Sequence, residues 1–315
     1  PRSGVWSMSR SSRDQMVFGM GNLLSPLGYH CFAFHDGFNT YYDRNLSHPN
    51  LGYDFYARGA GLQMTDQWPC SDLEMMQLTI PMYIEQQPFH AYYMTISGHM
   101  YYTFGGNKMS QKHQKETASL PYSDSARAYV ACNMELDLAL QDLLEALDEA
   151  GCLENTAIVL SGDHYPYGLE LSCIEELNGG PVEQSFELYH STLIMWCADM
   201  DEPVAVDKTC CALDVLPTIC NLFGLAYDSR LVMGRDILSD SPALVIFANH
   251  SFITDRGRYN AMTNTFEPFE NSGFSDEDEQ TAYAAAMLQK VNQMFTISAE
   301  IIDTNYYSTL FQAAS

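Results

Sequence analysis

The run Ile158-Val-Leu-Ser-Gly-Asp-His-Tyr-Pro-Tyr-Gly168 decides the fold. Its apolar half, with Thr156 and Ala157, predicts a strand over 156–161, and Gly162 releases the chain into Asp163-His164 and a Pro/Gly-bearing loop. Just upstream, Ser123 or Ser125 is placed to cap a long amphipathic helix reaching Ala150. Tyr129, Leu136, Leu140, Leu143, Leu144 and Leu147 fall at helical spacing there, and Gly151 closes it. A long helix followed at once by a strand that ends in ionisable residues is the rhythm of βαβ units.

The same rhythm extends outward. Met16–Leu24 precedes a Ser-Pro-Leu-Gly turn and an apolar run, Cys31–Phe34, which ends at His35-Asp36-Gly37. Glu74–Gln86 predicts a helix, and His90–Ser97 a buried strand ending at Gly98-His99. Ser191–Cys197 predicts another strand, and Ala212–Phe223 a helix stopped by Gly224. The expected fold class is α/β, a mostly parallel sheet sandwiched by helices. In such sheets the ligand crevice lies beyond the carboxyl ends of the strands, where His35, His99 and Asp163-His164 all fall.

Past about residue 240 the texture changes. Ala243–Ala248, Ser251–Thr254 and Arg258–Met262 predict short strands with a turn at Asp255-Arg256-Gly257. Ser275 is placed to cap a helix through Met287, Val291, Phe295 and Ile302. The expected division is therefore a catalytic domain over 1–240 and an antiparallel β plus helix subdomain over 241–315.

Composition bounds the function. Asp and Glu outnumber Lys and Arg 40 to 15, a net charge of −25 that argues against nucleic acid as a partner. An anionic substrate stays open, because a metal ion and a few local cations can reverse the potential inside a pocket. Nine cysteines without a Cys-x-x-Cys pair read as buried thiols rather than a disulfide framework. No apolar run is long enough to cross a bilayer, and no signal peptide is evident, so a membrane anchor is expected upstream of Pro1.

Three clusters carry chemistry. Asp163 and His164 offer one oxygen and one nitrogen donor, a mixture that suits manganese or zinc better than calcium. His99 closes Thr95-Ile-Ser-Gly-His99, a position from which an imidazole can touch a phosphoryl oxygen or move a proton. His35-Asp-Gly-Phe-Asn-Thr-Tyr-Tyr-Asp-Arg44 adds Arg44, suited to bidentate contact with phosphate, and Tyr42 as an aromatic wall. Each has a plainer reading alone: a helix cap beside a surface histidine, a satisfied structural histidine, and a surface Arg–Asp pair.

Together, in this order, the clusters resemble the alkaline phosphatase and sulfatase superfamily, specifically its lipoteichoic acid synthase branch. Asp214-Val-Leu-Pro-Thr218, Asn221-Leu-Phe-Gly224 and Ser229-Arg-Leu-Val-Met-Gly-Arg-Asp236 extend the resemblance over nearly the whole chain. It implies Asp163 and His164 as ligands of one divalent cation, most readily Mn2+, with Mg2+ or Zn2+ as alternatives. It implies His35, His99 and Arg44 as holders of the substrate phosphate, Tyr42 in place of the usual Trp, and His99 as the catalytic proton carrier. The implied reaction moves glycerophosphate from phosphatidylglycerol to a glycerophosphate polymer through a threonine, with the catalytic domain on the extracellular face of the cell membrane.

Two departures stand out. Gly37 replaces the aspartate expected two residues after the first histidine, with Asp36 next door. No Ser or Thr before His35 has a nucleophile's context; Ser3, Ser7 and Ser9 resemble the segment just after it. The threonine and a further Glu ligand are therefore expected upstream, beyond transmembrane helices, and the chain is expected to be inactive by itself. Rival readings are a sulfatase or phosphodiesterase on the same scaffold, and a non-catalytic binder of phosphoglycerol polymer in the cell envelope.

Overall fold

The computed structural model describes residues 7–312; Ser3 lies outside them. Two compact units are present: residues 21–201, and a second that joins residues up to Met20 with Glu202 onward.

In the first unit, β1 (His30–Phe38), β2 (Asp54–Arg58), β3 (Gly61–Leu62) and β4 (Phe89–Met94) form a parallel sheet in the order β3-β2-β1-β4. β1 is central and buried from Cys31 to Gly37, as a strand covered on both faces must be. Its Phe32 and Phe34 face the helices Asp72–Tyr83 and Asp124–Glu149, meeting Met75, Met76, Ile80, Leu143 and Leu147. Each such side chain contributes about 2 kcal/mol on leaving water. The α/β architecture expected from the sequence is the one observed.

Local chemistry moves several element ends. The first of these helices begins at Asp72, because Ser71 Oγ accepts the Glu74 N–H. The second is capped by Ser123. β4 stops at Met94, since the Ile96 and Ser97 N–H groups donate to Asp72 instead of to a neighbouring strand. Glu135, fully buried, accepts from Ser71 Oγ, from Lys112 at 2.9 Å and from His113 Nε2 at 2.6 Å, tying three helical segments together. β5 (Ala157–Ser161) pairs with β6 (Leu193–Cys197) in antiparallel fashion, apart from the parallel sheet.

The second unit holds β7 (Leu244–Ile246), β8 (Phe252–Thr254), β9 (Gly257–Asn260) and β10 (Thr265–Pro268) in an antiparallel meander. The helix Glu277–Asp303 packs on it through Val291. Its cap is Asp276, which accepts the Glu279 N–H, while Ser275 donates to the Glu279 carboxylate. Asp214 works as a pin: Oδ2 accepts from Cys211 N–H, Oδ1 accepts from Arg235 N–H, and Thr218 Oγ1 donates to its carbonyl. All nine cysteines are free thiols. No helix among the described residues is long and apolar enough to cross a membrane.

Candidate functional site

The carboxyl ends of β1, β4 and β5 bring together the residues singled out in the sequence, all within the 21–201 unit. β1 alternation sends His35 to the face opposite Phe32 and Phe34. There His35 is 1% exposed and uses both ring nitrogens. Nδ1–H donates to the Met94 carbonyl at 3.0 Å, and Nε2 accepts from Arg44 Nη1 at 2.8 Å. Burial above all, with the Arg44 charge adding, lowers its pKa to about 4, so the ring is neutral near pH 7. His35 thus reaches the site through Arg44 rather than with a surface of its own.

Gly37 explains how the ring fits. A Cβ on residue 37 would stand 2.4 Å from His35 Nε2, so the imidazole occupies the space a side chain would need. Asp36 points the other way and is completely buried. It takes no part in the cluster that the resemblance assigns to an aspartate at 37.

Arg44 lies half-buried with its guanidinium carbon 5.5 Å from the ring centres of both Tyr41 and Tyr42. The two tyrosines pack at 4.1 Å, and the Tyr41 hydroxyl donates to that of Tyr42 at 3.2 Å. Tyr42 and Asp43 both adopt left-handed backbone, φ 53° and 54°. On the neighbouring loop Met100 and Tyr101 do the same, φ 58° and 52°. Consecutive non-glycine residues in this region are costly and collect where the surroundings over-determine the backbone.

His99 is half-buried, edge-on to Trp68 at 6.0 Å, to His164 at 6.3 Å and to Tyr167 at 6.4 Å between ring centres. Burial, then the His164 charge, lowers its pKa, while the Asp163 charge pulls the other way. Asp163 also acts on Arg44, so the third strand end lies within electrostatic reach of the first two. The loop bearing His99 is held from below: Asn107 Nδ2 donates to the Ser97 and Met100 carbonyls, and Tyr102 donates to that of Gly98.

Asp163 is 87% exposed on its side chain, and its Oδ1 accepts the His164 N–H at 2.9 Å. His164 Nδ1–H donates to the Tyr165 carbonyl at 2.8 Å, which leaves Nε2 as the free donor atom. That atom stands 3.5 Å from Asp163 Oδ2. Two ligands about 2.1 Å from one ion at a tetrahedral angle are about 3.4 Å apart, so this pair fits two positions on a single cation. No group of three or more such ligands occurs among the described residues. Trp68, Tyr41 and Tyr167 were given no role in the sequence; Tyr41 stands beside Tyr42 and Tyr167 in the loop after His164, while nothing local marks Trp68.

The family model for sulfatases matches residues 2–225. The chain belongs to the sulfatase family. This sulfatase-family chain is 22% identical over 283 residues to lipoteichoic acid synthase 1 of Bacillus subtilis (strain 168), covering 87% of the chain and 43% of that relative. It is 24% identical over 267 residues to the lipoteichoic acid synthase of Staphylococcus saprophyticus, covering 82% and 40%. The chain therefore spans under half the length of these relatives. Its fold is that of the lipoteichoic acid synthase LtaP from Listeria monocytogenes, with TM-score 0.72 at 19% identity over 94% of the chain and 75% of that structure. A protein of the alkaline phosphatase superfamily from Vibrio parahaemolyticus gives TM-score 0.62 at 16% identity, over 91% and 69%.

Proposed function

We propose that this chain forms the phosphate-holding side of a phosphoglycerol transferase of the lipoteichoic acid synthase type, working at the cell envelope. The observation that carries the reading is the meeting of Arg44, His99 and the Asp163–His164 pair from three separate strand ends. In this reading the donor is phosphatidylglycerol and the acceptor a glycerophosphate polymer. The attacking threonine of this reading rests on the resemblance.

Asp163 Oδ2 and His164 Nε2 would hold one divalent cation, Mn2+ before Mg2+ or Zn2+. When bound, it supplies Lewis acidity at a phosphoryl oxygen. Arg44, aimed by His35, takes the remaining phosphate oxygens through its planar fork. His99, neutral near pH 7, accepts a proton from an entering glycerol hydroxyl or returns one to the departing oxygen. Tyr41 and Tyr42 wall the glycerol side and keep Arg44 in place.

The test is a calorimetric titration of the chain with glycerol phosphate, with and without Mn2+. Binding strengthened by Mn2+, and metal affinity lost in Asp163→Ala, is the expected result. Unchanged Mn2+ affinity in that variant refutes the metal assignment. In protein that carries the attacking threonine, release of diacylglycerol with polymer growth supports transfer. Free glycerophosphate without growth points to hydrolysis.

A further inference from the structure

Beneath the site lies a pair of buried acids that the proposed chemistry does not use. Asp36 on β1 is 0% exposed and Asp72, at the start of its helix, is 1% exposed. Among the described residues neither Asp36 oxygen makes a hydrogen bond of ordinary geometry, although its own N–H and that of Ile96 stand close enough to act on it. The polar group beside it is the carboxyl of Asp72. With both acids ionised, two negative charges would face each other in a dry interior without a cation. With one proton between them, the contact becomes a hydrogen bond and one of the two orphaned oxygens gains a partner.

The neighbours decide which acid keeps the proton. Asp72 Oδ1 accepts from the Ile96 N–H at 3.0 Å and the Ser97 N–H at 3.1 Å, while its own N–H donates to Ser97 Oγ at 2.8 Å. Those donors favour the carboxylate at Asp72. Asp36 feels its own N–H and that of Ile96 as well, but neither makes an ordinary hydrogen bond to it. The other titratable groups near the pair are His35, whose Nδ1 lies 3.8 Å from Asp36 Oδ1, and the thiols of Cys70 and Cys132. The imidazole is neutral, and burial holds both thiols protonated. Arg58 stands beyond Cys70 and is engaged by Asp66 at 2.6 Å.

We propose that Asp36, as a carboxylic acid, and Asp72, as a carboxylate, share one proton, and that this pair positions His99 by fixing the backbone of Ile96 and Ser97. The peptide that Asp72 grips leads through Gly98 into His99, and the His99 N–H itself returns to the Ile96 carbonyl at 2.9 Å. The acid pair also bridges β1, which carries His35, to the loop that carries His99. Both are positioning residues, and the inference rests on His99 belonging to the site proposed above.

The experiment has two arms. Infrared difference spectroscopy on the 315-residue chain at pH 7 should show the carbonyl band of a protonated carboxylic acid, absent in Asp36→Asn. This arm is independent of any substrate. In the second arm, nitrogen-15 imidazole NMR follows His99 while glycerol phosphate is titrated. Asp36→Asn replaces the acid O–H by an amide N–H and should rescue the His99 signal and affinity relative to Asp36→Leu. Asp72→Asn weakens the hold on Ile96 and Ser97, shifts the His99 signal and lowers affinity about tenfold, the equivalent of one hydrogen bond to a charged group. A missing acid band overturns the shared proton. A His99 signal indifferent to Asp72→Asn overturns the positioning role. If the band and the His99 response appear but glycerol phosphate binds none of the proteins, the acid pair stands and the phosphoglycerol reading falls.

Discussion

Replacing Gly37 by alanine is the sharpest probe of the site, because the structure says where the added atom goes. The new Cβ lands 2.4 Å from His35 Nε2, 2.9 Å from Cε1 and 3.1 Å from Cδ2. Comfortable carbon–nitrogen contact begins near 3.4 Å, so the ring must retreat by about 1 Å. It has no room to do so freely, being buried and bonded at 3.0 Å to Met94 and 2.8 Å to Arg44. A retreat of that size takes one of these bonds past the roughly 3.5 Å limit. Leaving a buried partner unsatisfied costs about 1–3 kcal/mol. Unfolding by denaturant should register that loss, with a melting point lower by about 3–10 °C. Glycerol phosphate affinity should fall about tenfold, because Arg44 loses its orienting partner. Gly37→Asp, which restores the residue the resemblance leads one to expect, should be worse than Gly37→Ala. An alanine variant that loses stability but binds glycerol phosphate as tightly as the parent would refute the role of His35 in aiming Arg44.

Two further outcomes follow from the same geometry. Arg44→Lys keeps the charge but loses the fork and the bond to His35. Glycerol phosphate affinity should drop at least about tenfold while the melting point stays within a few degrees; equal affinity would show that charge alone suffices. Stability against pH should carry two opposing signatures. His35 and His48 have pKa values lowered by burial to about 4, against an ordinary value of 6.5. Unfolding then takes up protons, so stability falls as pH drops from 6.5 toward 4, by up to about 1.4 kcal/mol per unit for each histidine. Asp36 has a raised pKa from burial and from Asp72, so the folded state holds the extra proton and its contribution runs the other way above pH 3.8. Asp36→Asn should therefore steepen the rise of stability with pH in denaturant titrations across this window. A parallel curve would show that Asp36 is ionised in the fold.

Much of this was legible in the sequence for a physical reason. The helix Asp124–Glu149 writes its buried face into the spacing of its leucines, and Gly98 and Gly162 mark the loops that carry His99 and Asp163; β1, expected to end at His35, instead runs on to Phe38. What was not legible depends on contacts between distant residues. Asp36 and Asp72 are separated in sequence by the helix Arg44–Asn50 and strands β2 and β3, and neither pattern nor propensity says that they meet. The end of β4 at Met94 follows from Asp72 capturing two N–H groups, which no local rule foretells. The antiparallel pairing of β5 with β6 was hidden too, since a short apolar run carries no direction. Trp68 and Tyr167 look like ordinary aromatics until the fold sets them around His99.

The four left-handed residues Tyr42, Asp43, Met100 and Tyr101 bear on how this protein can be engineered. Glycine or asparagine would suit the backbone better at Tyr42, Met100 and Tyr101, by about 1–2 kcal/mol apiece, whereas Asp43 already tolerates it. A library selected for heat resistance alone should accordingly drift toward those two residues on both loops. It would shed the Tyr42 ring beside Arg44 and slacken the peptide after His99, yielding sturdier proteins that grip phosphate less well. Screens on this scaffold therefore need ligand capture as well as thermal survival as a criterion.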